Sequence, residues 1–235
     1  MIVERTEHPS WLSNAYLLAD EPGGRGVLVD GNGVADPLLQ RVEEDEITVT
    51  DVLVTHGHPD HVEGVRALAD RFGVGVRGPG ELEDGEVVNA GRLEIRALST
   101  PGHSQEHLAF VVNGSDCLTG DVLFRRTVGG TRGGGRTGFA DLRRSILDRL
   151  LTLPPETRLH PGHREPTTVG EEREENPFVR VWRGLDPEGS EPCRVRGEEA
   201  TLVLWAGDYD GGHKAWVRFA SGEDAIVGGS QVDRT

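Results

Sequence analysis

An α/β fold with a β-rich C-terminal extension is predicted by three features of the 235-residue sequence. A short apolar run, Asp51 to Thr55, leads directly into His56-Gly57-His58-Pro59-Asp60-His61 and then into a segment with helical periodicity. Many further short apolar runs are separated by glycine-rich turns, the chain having 33 glycines. From about residue 193 onward only strand-like runs remain.

In chain order, the apolar stretches 13–19 and 26–30, split by a Glu-Pro-Gly-Gly-Arg turn, predict a hairpin. Asp36-Pro37 reads as a helix cap followed by proline at the first helical position, opening two turns through Leu38, Leu39 and Val42. Residues 51–55 read as a buried strand. A helix over 62–72 would place Val62, Val65, Leu68, Ala69 and Phe72 on one face and end at Gly73. Short strands follow around 73–78, 86–91 and 93–98. Segments 107–112 and 116–121 form a second hairpin turned at Asn113-Gly114. The run 140–153 is an amphipathic helix with Asp141 as cap and Leu142, Ile146 and Leu150 inward. Thr168 and Glu171 have capping-box spacing. A linker by composition, 184–192, divides a main domain, 1–184, from an extension, 193–235. Two strand-like runs around Tyr209–His213 are too little for a robust independent core. The extension is therefore expected to pack on the main domain or to mediate a homo-oligomer.

Composition bounds the partners. The net charge is −15 and Lys214 is the only lysine, so electrostatics oppose nucleic-acid and anionic-membrane binding. Abundant acid with scarce lysine points to a halophile that accumulates salt. A GC-rich genome is the alternative source of the bias. No apolar stretch approaches a membrane span, and the first residues lack the apolar core of a secretory signal. Cys117 and Cys193 suggest neither a disulfide framework nor a redox pair, and a cytoplasmic address is expected.

The chemistry concentrates in residues 56–61, where three of the nine histidines and one aspartate fall within six positions. In extended backbone His56 and His58 project from one side, while Asp60 and His61 come round the turn into the helix. Imidazole suits zinc, iron and similar ions, and a carboxylate lowers the charge of such a site. Thr100-Pro101-Gly102-His103, Leu118-Thr119-Gly120-Asp121 and His160-Pro161-Gly162-His163 each put a further ligand type at a strand end. Asp30, ending an apolar strand, reads equally as a group orienting a histidine or as a turn residue before Gly31. His107 and His160 read as structural, and Cys117 as a small core residue.

The ordered set HxHxDH, PGH, GD, PGH resembles the metallo-β-lactamase fold superfamily over about residues 10–183. The resemblance implies a four-layer αββα sandwich with metals at one edge between the sheets. It also implies two divalent metal ions, zinc first and iron or manganese as alternatives. His56, His58 and His103 would hold one ion, Asp60, His61 and His163 the other, and Asp121 would bridge; Asp60 and Asp121 are the expected catalytic carboxylates. The finer pattern, Gly120-Asp121-Val122-Leu123-Phe124 with segments 143–163 and 167–180, is similar to the glyoxalase II-like hydroxyacylglutathione hydrolases. That implies cleavage of a small-molecule thioester, with Arg125, Arg126, Arg132 or Arg136 meeting a substrate carboxylate. Two departures stand out: Gly129-Gly130-Thr131-Arg132 replaces a Gly-Arg-Thr-Asp loop, and a β-like tail replaces a helical C-terminal domain. A mononuclear iron persulfide dioxygenase, or a hydrolase of another ester or lactone, is the alternative.

Overall fold

Strand β2 (Asn14–Ala19) is buried along its whole length, which marks it as a central strand rather than the edge of a half-wet hairpin. In the computed structural model, which describes residues 1–132 and 138–234, it lies between β1 (Ile2–Glu7) and β3 (Arg25–Val29), antiparallel to both. The chain continues through α1 (Asp36–Glu44), β4 (Thr48–Leu53), α2 (Pro59–Val62), α3 (Val65–Phe72) and β5 (Gly75–Arg77). Next come β6 (Val87–Ala90), β7 (Leu93–Ser99), β8 (Leu108–Val112), β9 (Asp116–Gly120), β10 (Leu123–Phe124) and β11 (Thr127–Val128). The remainder is α4 (Phe139–Asp148), β12 (Arg158–Pro161), β13 (Thr167–Thr168), α5 (Val169–Glu175), α6 (Pro177–Trp182), β14 (Glu191–Val195), β15 (Glu198–Gly207), β16 (His213–Phe219), β17 (Asp224–Gly228) and β18 (Val232–Arg234).

The chain divides into two compact units. The first comprises residues 1–99, 106–120 and 160–164. Its first sheet has the order β1-β2-β3-β4-β5, with β3, β4 and β5 parallel. Its second is an antiparallel array in which β9, β8, β7 and β6 are consecutive neighbours. Tyr16, Leu18, Val27 and Leu53 from the first sheet pack with Ile95, Phe110 and Leu118 from the second in one apolar cluster. On the other face of the first sheet, Leu17, Leu28 and Val52 pack with Leu38 and Val42 of α1 and with Val65 and Leu68 of α3. Helix, sheet and sheet are thus stacked as layers, as the sequence predicted.

The second unit comprises residues 100–105, 121–159 and 165–235. The predicted β-rich tail is an antiparallel sheet of order β17-β16-β15-β14-β18 with its own cluster, including Cys193, Leu202, Val217, Phe219 and Val227. Phe139 of α4 packs against Trp182 and Trp216, which joins the tail to the helices of this unit.

Several expectations hold in detail. Both hairpins form, and Asn113 and Gly114 take the positive φ values (49° and 69°) of a tight turn. The Thr168–Glu171 capping box closes reciprocally. Others need correction. Asp36 is the first helical residue and not the cap, because Ala35 already has helical backbone and Pro37 sits one place further in. The helix expected over 62–72 is two helices: Gly64 takes φ 86° and breaks the hydrogen-bond ladder before α3 restarts. Asp141 lies in the first turn of α4 after the cap at Gly138, and α4 ends at Asp148 with a separate 3-10 turn over Leu150–Thr152. Among the described residues, no helix is long and apolar enough to cross a membrane.

Candidate metal centre

The loop after β4 does what its sequence suggested. His56 is fully buried, and Pro59 starts α2 so that Asp60 and His61 fall in a single helical turn. The rings of His56 and His58 stand 4.6 Å apart, those of His56 and His61 4.5 Å, and those of His61 and His163 5.4 Å. Asp60, His61 and His163 each offer a ligand atom within 4.8 Å of the others. Asp60 Oδ2 lies 3.6 Å from Nε2 of His61 and 3.5 Å from Nε2 of His163. These separations are long for hydrogen bonds. They suit shared coordination, since ligand atoms about 2.0–2.2 Å from a tetrahedral ion stand roughly 3.3–3.6 Å apart. The donor set therefore fits a divalent metal. In the second unit, His103 Nε2 and Asp121 Oδ2 are 3.4 Å apart, the same kind of spacing.

The second nitrogen is anchored in His61, His56 and His103. Asp30 accepts from the Thr55 amide at 2.7 Å and the Thr55 hydroxyl at 2.8 Å, and its Oδ2 is 3.0 Å from His61 Nδ1. A carboxylate only accepts, so His61 donates through Nδ1 and presents Nε2 as the ligand. The Thr55 hydroxyl has spent its proton on Asp30 and so accepts from His56 Nδ1, 3.1 Å away. His56 is thereby fixed in the same tautomer. Of the two readings of Asp30, orienting group and turn residue, both are true: its φ is 59°. In the second unit His103 Nδ1 donates to the Gly130 carbonyl at 3.0 Å, which again frees Nε2. Gly129 allows this approach, since a Cβ there would lie 2.0 Å from the Asp121 carbonyl oxygen and 3.1 Å from the His103 Cβ.

His163 is carried by a loop that the sequence SNAY secures. Asn14 Nδ2 donates to the carbonyls of Pro161 and Arg164, and the Tyr16 hydroxyl donates to Pro161. Sequence reading assigned Asn14 and Tyr16 only to a strand; their polar ends on an otherwise buried strand were the available signal. His160 pairs with buried Asp116 at 2.8 Å, in keeping with a structural role. His107 packs its ring 5.0 Å from that of His56, so it is part of the wall around the cluster. Cys117 is fully buried, and desolvation pushes its thiol up to about 12, which fits a core residue.

The four arginines expected to meet substrate have different settings. Arg126 is paired with Glu175, and its amide donates to Glu172. Arg125 lines a recess with Arg126 and Arg180. Arg132 bonds Glu198 at 2.8 Å. Arg136 lies outside the described residues.

With this geometry in hand, the likeness to known proteins is specific. The sequence profile of the Metallo-beta-lactamase superfamily matches residues 9–84. A hydroxyacylglutathione hydrolase of Bradyrhizobium sp. is 35% identical over 80% of this chain and 72% of its own length. The structure of ETHE1 from Myxococcus xanthus superposes with a TM-score of 0.68 at 31% identity, covering 79% of this chain and 92% of that one. TTHA1623, solved in a di-iron-bound form, gives 0.65 at 31% identity, covering 75% of this chain and all (100%) of that one. Profile, relatives and the anchored histidine cluster agree: the chain belongs to the metallo-β-lactamase superfamily.

Proposed function

We propose that the protein is a metal-dependent thioester hydrolase of the hydroxyacylglutathione hydrolase kind, acting on S-(2-hydroxyacyl) esters of a low-molecular-weight thiol. The observation that carries this reading is the anchoring of His56 and His61 by Thr55 and Asp30 beside Asp60 and His163, with every ligand position of a two-metal member filled in order. His56, His58 and His103 would hold one ion, Asp60, His61 and His163 the other, and Asp121 would touch both. When bound, two divalent ions, zinc first and iron or manganese as alternatives, supply Lewis acidity that activates water and polarises the scissile carbonyl. The chain's own residues do the rest. Asp30 and Thr55 keep two imidazoles in their ligating tautomer. Asp60, 24% exposed beside buried His61 and His163, faces solvent and is the group placed to accept the water's proton. A thiolate leaves readily, so no serine or cysteine nucleophile is required. Segment 1–184 is read as the catalytic domain and 193–235 as its appended sheet. The acidic, lysine-poor composition supports a salt-accumulating source organism, and the protein is read as cytoplasmic.

The likeness to ETHE1 favours a second reading, a mononuclear iron persulfide dioxygenase using His56, His103 and Asp121. One experiment separates them: count the metals of the purified protein and compare turnover of S-lactoyl thioesters with oxygen uptake on a persulfide. Two metals with thioester turnover support the proposal; one iron with oxygen uptake overturns it. Asp121→Asn should lower thioester turnover by more than about a hundredfold, since even outer partners of metal ligands are worth roughly 10–100-fold. Its thermal unfolding should change little, and full activity in this variant would remove Asp121 from the shell.

A further inference from the structure

On the helix-bearing face of the first sheet, a groove between α1 and α3 holds a cavity of about 340 Å³, wholly within the first unit. That volume suits a small molecule, since such sites run from roughly 300 Å³ upward. Helix α1 contributes Leu38 and Leu39, α3 contributes Ala67 and Leu68, and the layer beneath them contributes Ala15, Gly31 and Asn32. Two small residues keep the space open. Ala15 stops short where the next residue on its face of β2 is Leu17. Gly31 can bear no side chain, because a Cβ there would fall 2.9 Å from the Val65 amide nitrogen.

Among the described residues the charged lining is Glu63 and Arg71, one of each sign and both exposed, and Arg71 bonds Glu43 at 2.7 Å. The charges balance and stay at the solvent side, so the interior selects a neutral guest. One end of the groove is polar. Asn32 donates its side-chain amide to the carbonyls of Ser13 (2.7 Å) and Thr6 (3.3 Å). Thr6 stands opposite Ala15 in the register of β1 and β2 and so shares its face. The Thr6 and Ser13 hydroxyls have no hydrogen-bond partner among the described residues, although these residues are only 5% and 0% exposed. Buried hydroxyls left unpaired are costly and uncommon. Two of them beside one asparagine call for a donor and acceptor that the chain does not supply.

We infer that this groove is a further binding site, for a small neutral amphiphile of the alkylphenol kind: an apolar body between α1 and α3, and one hydroxyl at Thr6 and Ser13. The site is coupled to the candidate metal centre by a short path. Gly31 follows Asp30, and its amide donates to His61 O at 2.8 Å. A centre that holds Asp30 and His61 rigid also holds this side of the groove. Metal-loaded protein should therefore bind the guest more tightly, and by reciprocity the guest should tighten the metals. The inference is independent of which reaction the centre performs.

The test is a calorimetric titration of the full-length, metal-loaded protein with 4-ethylphenol, for which saturable binding is expected. Ala67→Trp, at an exposed position of α3, fills the groove and should abolish binding. Thr6→Val keeps the β-branched shape and should weaken binding about fivefold, the worth of one net hydrogen bond. No saturable binding, as when the hydroxyls hold only water, overturns the inference, and so does binding indifferent to either variant. The anion 4-ethylbenzoate should not displace the phenol; equal displacement overturns the assignment to a neutral guest. Removing the metals with a chelator should weaken phenol binding severalfold. Equal affinity with and without metal overturns the coupling and leaves the site standing.

Discussion

The tripeptide Pro-Gly-His occurs twice, at 101–103 and 161–163, and the chain secures the two copies by different physics. In the first copy Gly102 has φ 139° and lies so close to α4 that an added Cβ would fall 2.4 Å from the Leu142 Cα. Ser145, also on α4, donates to the Pro101 carbonyl at 2.7 Å. His103 is thus set by packing against a helix. In the second copy the Gly162 amide donates to Gly120 O at 2.8 Å, and its carbonyl accepts from the Asn14 amide at 2.7 Å. Tyr16 and Asn14 both donate to the Pro161 carbonyl. His163 is thus set by a polar lattice between strands. Packing fails abruptly when a methyl is forced in, whereas a lattice with two donors on one carbonyl fails by degrees.

The sharpest way to break this contrast is Gly102→Ala. It should cost about 3 kcal/mol or more, because the backbone of Leu142 cannot retreat as a side chain could. Denaturant unfolding measures it, and wild-type stability would mean that the loop yields freely. Asp30→Asn probes a separate polar support, the one beneath His61 and His56. At φ 59° asparagine keeps the backbone, but its side chain has one accepting oxygen where the carboxylate has two. Affinity for metal should drop roughly 10–100-fold in chelator competition, with the fold intact. Next come single donors. Ser145→Ala removes the side-chain donor on Pro101 and should cost about 1 kcal/mol, while Tyr16→Phe should cost less because Asn14 still serves Pro161. Equal losses would say that the lattice is not redundant.

The smallest effect is one of pH and belongs to the second unit. Burial is the main reason the Glu172 carboxyl sits above its ordinary value, and bonds from Asn176, Thr167 and the Arg126 amide only partly offset it. A raised folded value means that the native state holds its proton longer than the unfolded chain. Stability is therefore fully present below the ordinary carboxylate range and declines as pH rises through the folded value. Glu172→Gln should remove that decline, so variant and wild type converge in acid and separate towards neutrality. Parallel stability-against-pH curves would show that the group is not linked to folding.

What the sequence made legible follows from this contrast. The proposed ligand residues could be singled out because histidines and aspartates at strand ends are few and ordered. Their supports could not, because Ser145, Leu142 and Tyr16 look like ordinary helix or strand residues until distant segments meet. Gly64 shows the same limit: helical periodicity runs straight through 62–72, and only the close approach of Gly31 to the Val65 amide and Glu63 carbonyl, both within 3.0 Å of a Cβ built there, accompanies the break. Asp36 and Asp141 lie one and three residues past the positions where backbone geometry placed the caps, Ala35 and Gly138. Patterns of residue type reveal elements and candidate ligands, while contacts between segments decide boundaries.

Asp30 has one more consequence. It is hydrogen-bonded to His61 directly and to His56 through Thr55, and these histidines are assigned to different ions. An ion pulling on either ring would polarise the same carboxylate and so alter the basicity of the other ring. Under the proposed two-metal reading the two sites would be thermodynamically linked, and by reciprocity each ion would change the other's affinity by the same factor. Loading would then depart from two independent isotherms, and replacing Asp30 would reduce the coupling as well as the affinity.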